Sequence, residues 1–312
     1  MRAHWRRFRP EVALDAAMVS AILREALPEA EMVGFTPLAG GLANTNVEVT
    51  LAGPPGRVVV RIYQRDPAQA RKEVALSGLL QGRVAVPAVL HFTPANIATG
   101  HPCAVMQWHP GARLETLEPD AALGGAVGMA LAAIHAVEFA EYGFFGADLV
   151  VREPADHGRA GMLAYLRRHV MEGPGAARLG GDLAARLYAL VEREGHLLET
   201  WLVKPCLVHG DFNGSNILVD SGRVSAVVDW EFAFSGSPAS DFGNLLRAPM
   251  ERAGFSEAVA GAYVAAGGFL PPEWRRVARL ADLYAWADFL GRPAPGELLL
   301  ADARDAVTAI LD

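Results

Sequence analysis

The sequence predicts an α+β fold in two lobes, an N-terminal antiparallel sheet with one key helix followed by a mainly helical lobe. Three observations lead there. Short β-rich runs punctuated by Gly, Pro and Asn fill the first 108 residues. Near Trp108–Gly111 the composition shifts to Ala, Leu and Arg with helical apolar spacing. The chain has 312 residues, 52% hydrophobic and 20% charged, enough for two lobes and too apolar for long disordered tracts. The expected division is 1–107, a hinge at 108–111, and 112–312.

The elements follow in chain order. Residues 10–30 carry Val12, Val19, Ile22 and Leu23 on one side, which predicts a leading helix. Strands are expected at 35–38, 47–51, 58–63, 88–92 and 103–108, joined through GGLAN, GPPG and TPAN as hairpins would be. One helix interrupts them, from Pro67 at its first turn to about Leu80. Beyond Gly111 helices are expected at about 119–137, 158–172, 180–202, 239–248, 254–266, 271–290 and 296–311. Two short strands, 207–208 and a hairpin over 217–229 turning at DSGR, are set among them. The uncharged stretch 121–137 is too short to span a bilayer and holds His135, so it reads as a buried core helix.

The formal net charge of −7 offers no general attraction for nucleic acid or anionic lipid and suits a cationic small molecule better. Cys103 and Cys206 each sit in an apolar run, which predicts buried thiols and neither a disulfide framework nor a zinc site. The basic N-terminus is followed by no apolar segment of a secretory signal, so a cytoplasmic location is expected.

The chemically informative segment is LVHGDFNGSNILVDSGRVSAVVDWEFAFSGSPASDFGN, residues 207–244. Asp211 precedes Asn216 by five residues, and Asn216 precedes Asp229 by thirteen. Phosphoryl transfer needs a carboxylate at the incoming hydroxyl and oxygen ligands that hold magnesium against the phosphates. A five-residue loop lets Asp211 and Asn216 face one cavity, and a hairpin returns Asp229 beside them.

HGDFNGSN resembles the catalytic loop HxDxxxxN of the protein-kinase-like superfamily, and VVDWE its metal-binding segment. The glycine of HGD, the tryptophan of DWE and the later DFGN are similar to the aminoglycoside phosphotransferase and choline kinase branch. The resemblance extends in element order over most of the chain and implies a protein-kinase-like two-lobed fold. It further implies that Asp211 positions or deprotonates the acceptor, that Asn216 and Asp229 bind Mg2+, that His209 braces the loop over 207–219, and that Asp241 anchors it.

The same resemblance places other residues. AGGLANTNVEV stands where a phosphate-covering hairpin belongs, with Gly40 and Gly41 allowing close backbone approach and Asn44 near phosphate. In VVVRI, two-residue periodicity puts Val59 and Arg61 on one face. Arg61 stands where the family carries a lysine against the α- and β-phosphates, and its planar guanidinium differs in reach. Glu73 matches the acidic partner of that cation. CAVMQWHPG matches the lobe connector, with the nucleobase bonded to backbone near Gln107 and His109 and lined by Met106 and Val59. His135 reads as a satisfied core histidine.

The expected activity is transfer of the γ-phosphoryl group of ATP or GTP to a hydroxyl of a small acceptor. An aminoglycoside is the first expectation, because that branch gives the closest motif texture; other antibiotics, amino alcohols, homoserine and sugars remain as alternatives. Glu231, Glu251, Asp282 and Asp288 are acidic candidates for a cationic acceptor, and Trp274, Tyr284 and Trp286 aromatic ones. A nucleotide-binding module without turnover is the alternative that Arg61 motivates. GxxxxGK[ST] and GxSxG are both absent, which sets aside P-loop and esterase chemistry. Only nine residues separate Glu231 from Asp241, too few for the activation loop of a protein kinase. No sequence pattern bears on oligomeric state.

Overall fold

The structure, a computed structural model, describes residues 10–38, 43–247 and 250–311. The two-lobed kinase-like fold is present. Helix α1 (Ala16–Ala26) is shorter than predicted because Asp15 caps it, its carboxylate accepting the Met18 N–H at 2.8 Å. Residues 10–15 instead run along the sheet, with the Val12 N–H on Thr45 Oγ1 at 3.0 Å and Gln64 Nε2 on the Pro10 carbonyl at 2.7 Å.

The first sheet contains β1 (Met32–Pro37), β2 (Thr45–Leu51), β3 (Arg57–Ile62), β4 (Val89–Thr93) and β5 (Cys103–Gln107), antiparallel in the order β1-β2-β3-β5-β4. Alternation sorts its side chains. Val47, Val49, Val58, Val60 and Val105 bury one face with Val19, Ile22 and Leu23 of α1. The opposite face carries Val59, Arg61, Tyr63 and Met106 and packs on α2 (Pro67–Leu80). Asp66 caps α2 through the Ala68 N–H at 2.9 Å, with Pro67 in the first turn. Its buried side includes Ala70, Glu73, Leu76 and Leu80 at helical spacing, and also Lys72.

The chain then passes through residues 108–111 to β6 (Ala112–Arg113), which joins β10 (Ile217–Asp220) and β11 (Arg223–Val227) in the order β11-β10-β6. Three of the strands in a third sheet escaped the sequence reading: β7 (Gly143–Phe145), β8 (Val151–Pro154) and β12 (Phe234–Gly236), with β9 (Cys206–Val208) completing the order β8-β7-β12-β9. They are three or four residues long, too short for alternation to register.

The helices are α3 (Ala121–His135), α4 (Arg159–Leu166), α5 (Gly175–Leu179), α6 (Gly181–Glu194), α7 (Ala239–Leu245), α8 (Ala253–Ala265), α9 (Trp274–Gly291) and α10 (Glu297–Leu311). α4 ends in a π turn over 167–171, and a 3-10 segment at 195–201 follows α6. α3 lies flat against α8, where a Cβ on Gly124 or Gly128 would collide with the carbonyls of Phe255 and Val259. Both cysteines are buried and free. Among the described residues no helix is long and apolar enough to cross a membrane.

Candidate active site

A cleft of about 910 Å³ runs between the β3 face and the helices, a size typical of small-molecule sites. Asn44, Arg61, Asp211, Asn216, Asp229 and Glu231 all line it. The loop after β9 and the turn after β11 meet there because β10 pairs antiparallel with β11, Ile217 facing Val227, and the Val228 N–H donates to the Asn216 carbonyl at 2.9 Å.

The Asp211 carboxylate is held on both oxygens. Asn213 Nδ2 donates to Oδ1 and Asn216 Nδ2 to Oδ2, each at 2.9 Å. The backbone before it is fixed by Asp241, fully buried, whose two oxygens accept the N–H groups of His209 at 2.8 Å and Gly210 at 2.9 Å. Gly210 has φ +76°, and a Cβ there would lie 2.5 Å from the Phe232 carbonyl, so only glycine fits. His209 donates from Nε2 to the Val228 carbonyl at 3.0 Å and accepts the Asp211 N–H on Nδ1 at 3.2 Å. The Trp230 ring packs on His209 at 4.5 Å and ties its Nε1–H to the Val227 carbonyl, so the tryptophan of DWE stiffens the turn that presents Asp229. Asp229 itself is left-handed, φ 68° and ψ 61°, a conformation aspartate tolerates better than most side chains.

Arg61 is the electrostatic centre. Nε donates to Glu73 at 3.1 Å, Nη2 to Asp229 at 2.6 Å and Nη1 to Asn46 at 3.4 Å. Burial disfavours its charge, but Glu73 and Asp229 outweigh burial and hold its pKa well above the ordinary value. Burial raises the Glu73 carboxyl, which Arg61 partly offsets. Burial, reinforced by the nearby Asp229 charge, pushes Glu231 up to about 7. Glu231 accepts from Asn44 Nδ2 at 3.2 Å, and Asn44 Oδ1 accepts the Gln64 N–H at 3.2 Å.

As for a metal, Asn216 offers an amide oxygen while its nitrogen is spent on Asp211, and Asp229 offers a carboxylate. No group of three or more His, Cys, Asp or Glu that could hold a metal occurs among the described residues. A cation here would therefore draw its other ligands from phosphates and water, the habit of magnesium, so the pair fits that ion.

The profile of the phosphotransferase enzyme family (APH) matches residues 34–280. The chain belongs to that family. It is accordingly placed among phosphotransferase enzymes. Among solved structures, aminoglycoside phosphotransferase APH(4)-Ia is similar with a TM-score of 0.70 and 19% identity, covering 95% of this chain and 98% of that one. The GDP and kanamycin complex of APH(2")-IIia gives 0.72 and 18%, covering 94% and 97%. At such identity these neighbours establish the fold. Hygromycin-B 4-O-kinase of Escherichia coli is 44% identical over 39 residues, a stretch that spans 12% of this chain and only 11% of that kinase.

Other candidates are distributed differently. Gly40 and Gly41 lie outside the described residues, though β1 and β2 flank them as a hairpin. Val59 faces Met106 across β3 and β5, and neither they nor Gln107 and His109 line the cleft. The Gln107 N–H is already bonded to the Ala88 carbonyl at 2.8 Å, so a base at this connector would meet other backbone groups. Burial lowers the His109 pKa. Of the acceptor candidates, Asp288 and Tyr284 join Glu231 on the cleft wall. Glu251 pairs with Arg279 away from it, Trp274 is core, and Asp282 with Trp286 forms a buried support for Arg247.

The sequence reading missed Lys72, whose ammonium donates to the carbonyls of Glu231 at 2.7 Å and Ala233 at 3.0 Å, clamping α2 to the Asp229 segment. Burial lowers its pKa to about 8. Also missed were the cleft rings Phe144, His157, Tyr165 and Phe234. His135 is buried, as a core histidine should be, but bridges Asp241 and the Tyr263 hydroxyl.

Proposed function

We propose that the chain transfers the γ-phosphoryl group of ATP or GTP to a hydroxyl of a small-molecule acceptor. The observation that carries this is the meeting of Asp211, Asn216 and Asp229 in one cleft with a guanidinium, Arg61, that bridges Glu73 and Asp229. Solved neighbours in complex with ADP and hygromycin B, or with GDP and kanamycin, support a nucleotide donor beside a small acceptor.

The acceptor oxygen attacks the γ-phosphorus, the bond to the β–γ bridging oxygen breaks, and the nucleoside diphosphate leaves. Asp211 receives the acceptor proton, oriented for it by Asn213 and Asn216. Asn216 and Asp229 would hold Mg2+, which when bound neutralises charge on the phosphates. Arg61 provides a fixed positive charge beside Asp229, and Asp241 keeps the loop from drifting. The Gly40–Gly41 hairpin would cover the phosphates, with Asn44 beside it, and residues 103–111 would meet the base. Residues 1–107 would form the nucleotide lobe and 112–312 carry the acceptor site.

A second reading, nucleotide binding without turnover, is favoured by one observation: Arg61 has all three nitrogens turned to protein groups rather than to open cleft. Consumption of ATP and GTP with magnesium over a panel of aminoglycosides, amino alcohols and sugars separates the two. Acceptor-dependent turnover that disappears in Asp211→Asn supports the kinase. Magnesium-dependent nucleotide binding that no acceptor converts to turnover supports the second reading, and absence of nucleotide binding sinks both.

A further inference from the structure

Away from Asp211 the cleft is walled by rings. Phe144, 50% exposed, lies 5.6 Å from Phe234, and Phe234 stacks on His157 at 5.4 Å with 16° between planes. His157 meets Tyr284 edge-on at 6.1 Å, and Tyr284 meets Tyr165 at 5.1 Å. All five line the cleft. They come from β7, β12, the segment before α4, α9 and α4, so the fold assembles the wall from five separate pieces of chain. Burial lowers the His157 pKa to about 4, so this ring is uncharged near neutrality. Apolar ring surface left facing a cleft favours a ligand with apolar surface of its own.

The charges at this end are balanced against one another. Asp288 accepts from Arg292 Nε at 3.0 Å and Nη2 at 2.7 Å. Asp282, behind the wall, takes Arg247 through Nε at 2.7 Å and Nη2 at 2.5 Å, together with Asn244 and Trp286. Asp156 has no basic partner among the described residues, and its Oδ1 accepts the Gly158 N–H at 2.8 Å. Arg168 joins Arg247 and Arg292 on the wall, so three guanidiniums stand against Asp156, Asp282 and Asp288. Arg113 and Glu115, also lining the cleft, are of opposite sign and cancel. Arg247 and Arg292 are neutralised by Asp282 and Asp288, and Asp156, the carboxylate of these three without a cation among the described residues, is offset by Arg168. A compound with several ammonium groups therefore finds no net negative charge at this end.

We propose that the acceptor is a bulky alcohol of low net charge that lays an apolar face on the Phe144–Phe234–His157–Tyr284–Tyr165 wall, and that polycationic amino sugars are poor acceptors here. This rests on the phosphotransfer reading for the chemistry, but the recognition it describes is measurable without turnover.

Binding is measured by calorimetry with two uncharged alcohols, chloramphenicol and the macrolactone erythronolide B, against the polycations kanamycin and hygromycin B and the monocation choline. ATP consumption is followed separately with each. The uncharged probes are expected to bind more tightly, with affinity insensitive to a tenfold rise in salt. Phe144→Ala, a half-exposed position whose truncation the fold tolerates, weakens them about tenfold. Arg292→Ala, which releases Asp288, strengthens kanamycin binding.

Tighter binding of kanamycin, hygromycin B or choline than of both uncharged probes overturns the proposal, as does failure of the uncharged probes to bind at millimolar concentration or indifference to Phe144→Ala. Preferred turnover of kanamycin overturns it while leaving the phosphotransfer reading intact. Tight binding of uncharged alcohols, with no nucleotide consumed in any mixture, keeps the wall's assignment and removes the kinase.

Discussion

At the Asp211 end of the cleft, carboxylates outnumber cations and each is tied to a specific neighbour: Asp211 to Asn213 and Asn216, Asp229 and Glu73 to Arg61, Asp241 to two backbone amides. At the α4–α9 end Asp282 and Asp288 are answered by arginines and the surface is aromatic. The first end holds charge in place at a cost in desolvation. That suits a reaction in which the same phosphate charge must be met on every turnover. The second end recognises shape and apolar area, a property that varies with the acceptor. One scaffold can thus keep its chemistry fixed while the opposite wall changes partner.

The largest effect is expected at Asp211. Asp211→Asn keeps the size of the side chain and removes the proton acceptor, so turnover is expected to fall about 10³-fold while nucleotide and acceptor still bind. Equal loss of acceptor binding would place Asp211 in recognition instead. Next in size is Arg61→Ala. It leaves the buried Glu73 and the partly exposed Asp229 without the guanidinium that joins them, with Lys72 left as a cation acting on Glu73, and should cost about 3 kcal/mol of stability, read by urea unfolding. Arg61→Lys restores the charge but cannot donate to Glu73 and Asp229 through separate nitrogens, so it recovers only part of the loss.

The two ends also differ in how far the sequence reveals them. Asp211, Asn216 and Asp229 belong to one loop and one hairpin, so their spacing fixes their geometry. Arg61 and Glu73 come from the resemblance, strand alternation giving only the face that Arg61 shares with Val59. Phe144, His157, Phe234 and Tyr284 carry no such spacing, since only tertiary packing of short strands and separate helices brings them together. Lys72 looks like a solvated helix lysine until the carbonyls of Glu231 and Ala233 arrive from far along the chain. The leading helix reads as too long for a local reason: apolar Val12 fits helical spacing, but its N–H goes to Thr45 and the Asp15 cap starts the helix later.

His157 gives the aromatic end a dependence on pH. Its folded pKa of about 4 lies below the ordinary 6.5 because burial disfavours the imidazolium. The unfolded chain therefore binds a proton that the folded chain refuses between those values, and stability is undiminished above about 6.5 and falls as pH drops toward 4. The loss reaches at most ~3 kcal/mol. His157→Phe, which keeps a ring against Phe234, should flatten that part of the acid unfolding profile and leave stability near neutrality little changed. An unchanged profile would mean that the imidazole is solvated and the wall less closed than its stacking implies.

The smallest expected effect tests how the Asp211 end is braced from behind. Tyr263 donates its hydroxyl proton to His135 Nδ1 at 3.0 Å, His135 Nε2 donates to Asp241 at 3.2 Å, and Asp241 holds the amides of His209 and Gly210. Burial raises the Tyr263 pKa, so its hydroxyl remains a donor at working pH. Tyr263→Phe removes one buried hydrogen bond and strands the His135 nitrogen, a cost of about 1–2 kcal/mol in unfolding experiments. If the relay only stabilises the core, kcat is unchanged. If it holds the loop in register, kcat falls a fewfold with acceptor KM constant, because the acceptor wall lies on elements that this bond does not touch. A rise in acceptor KM with constant kcat would contradict the separation of the two ends.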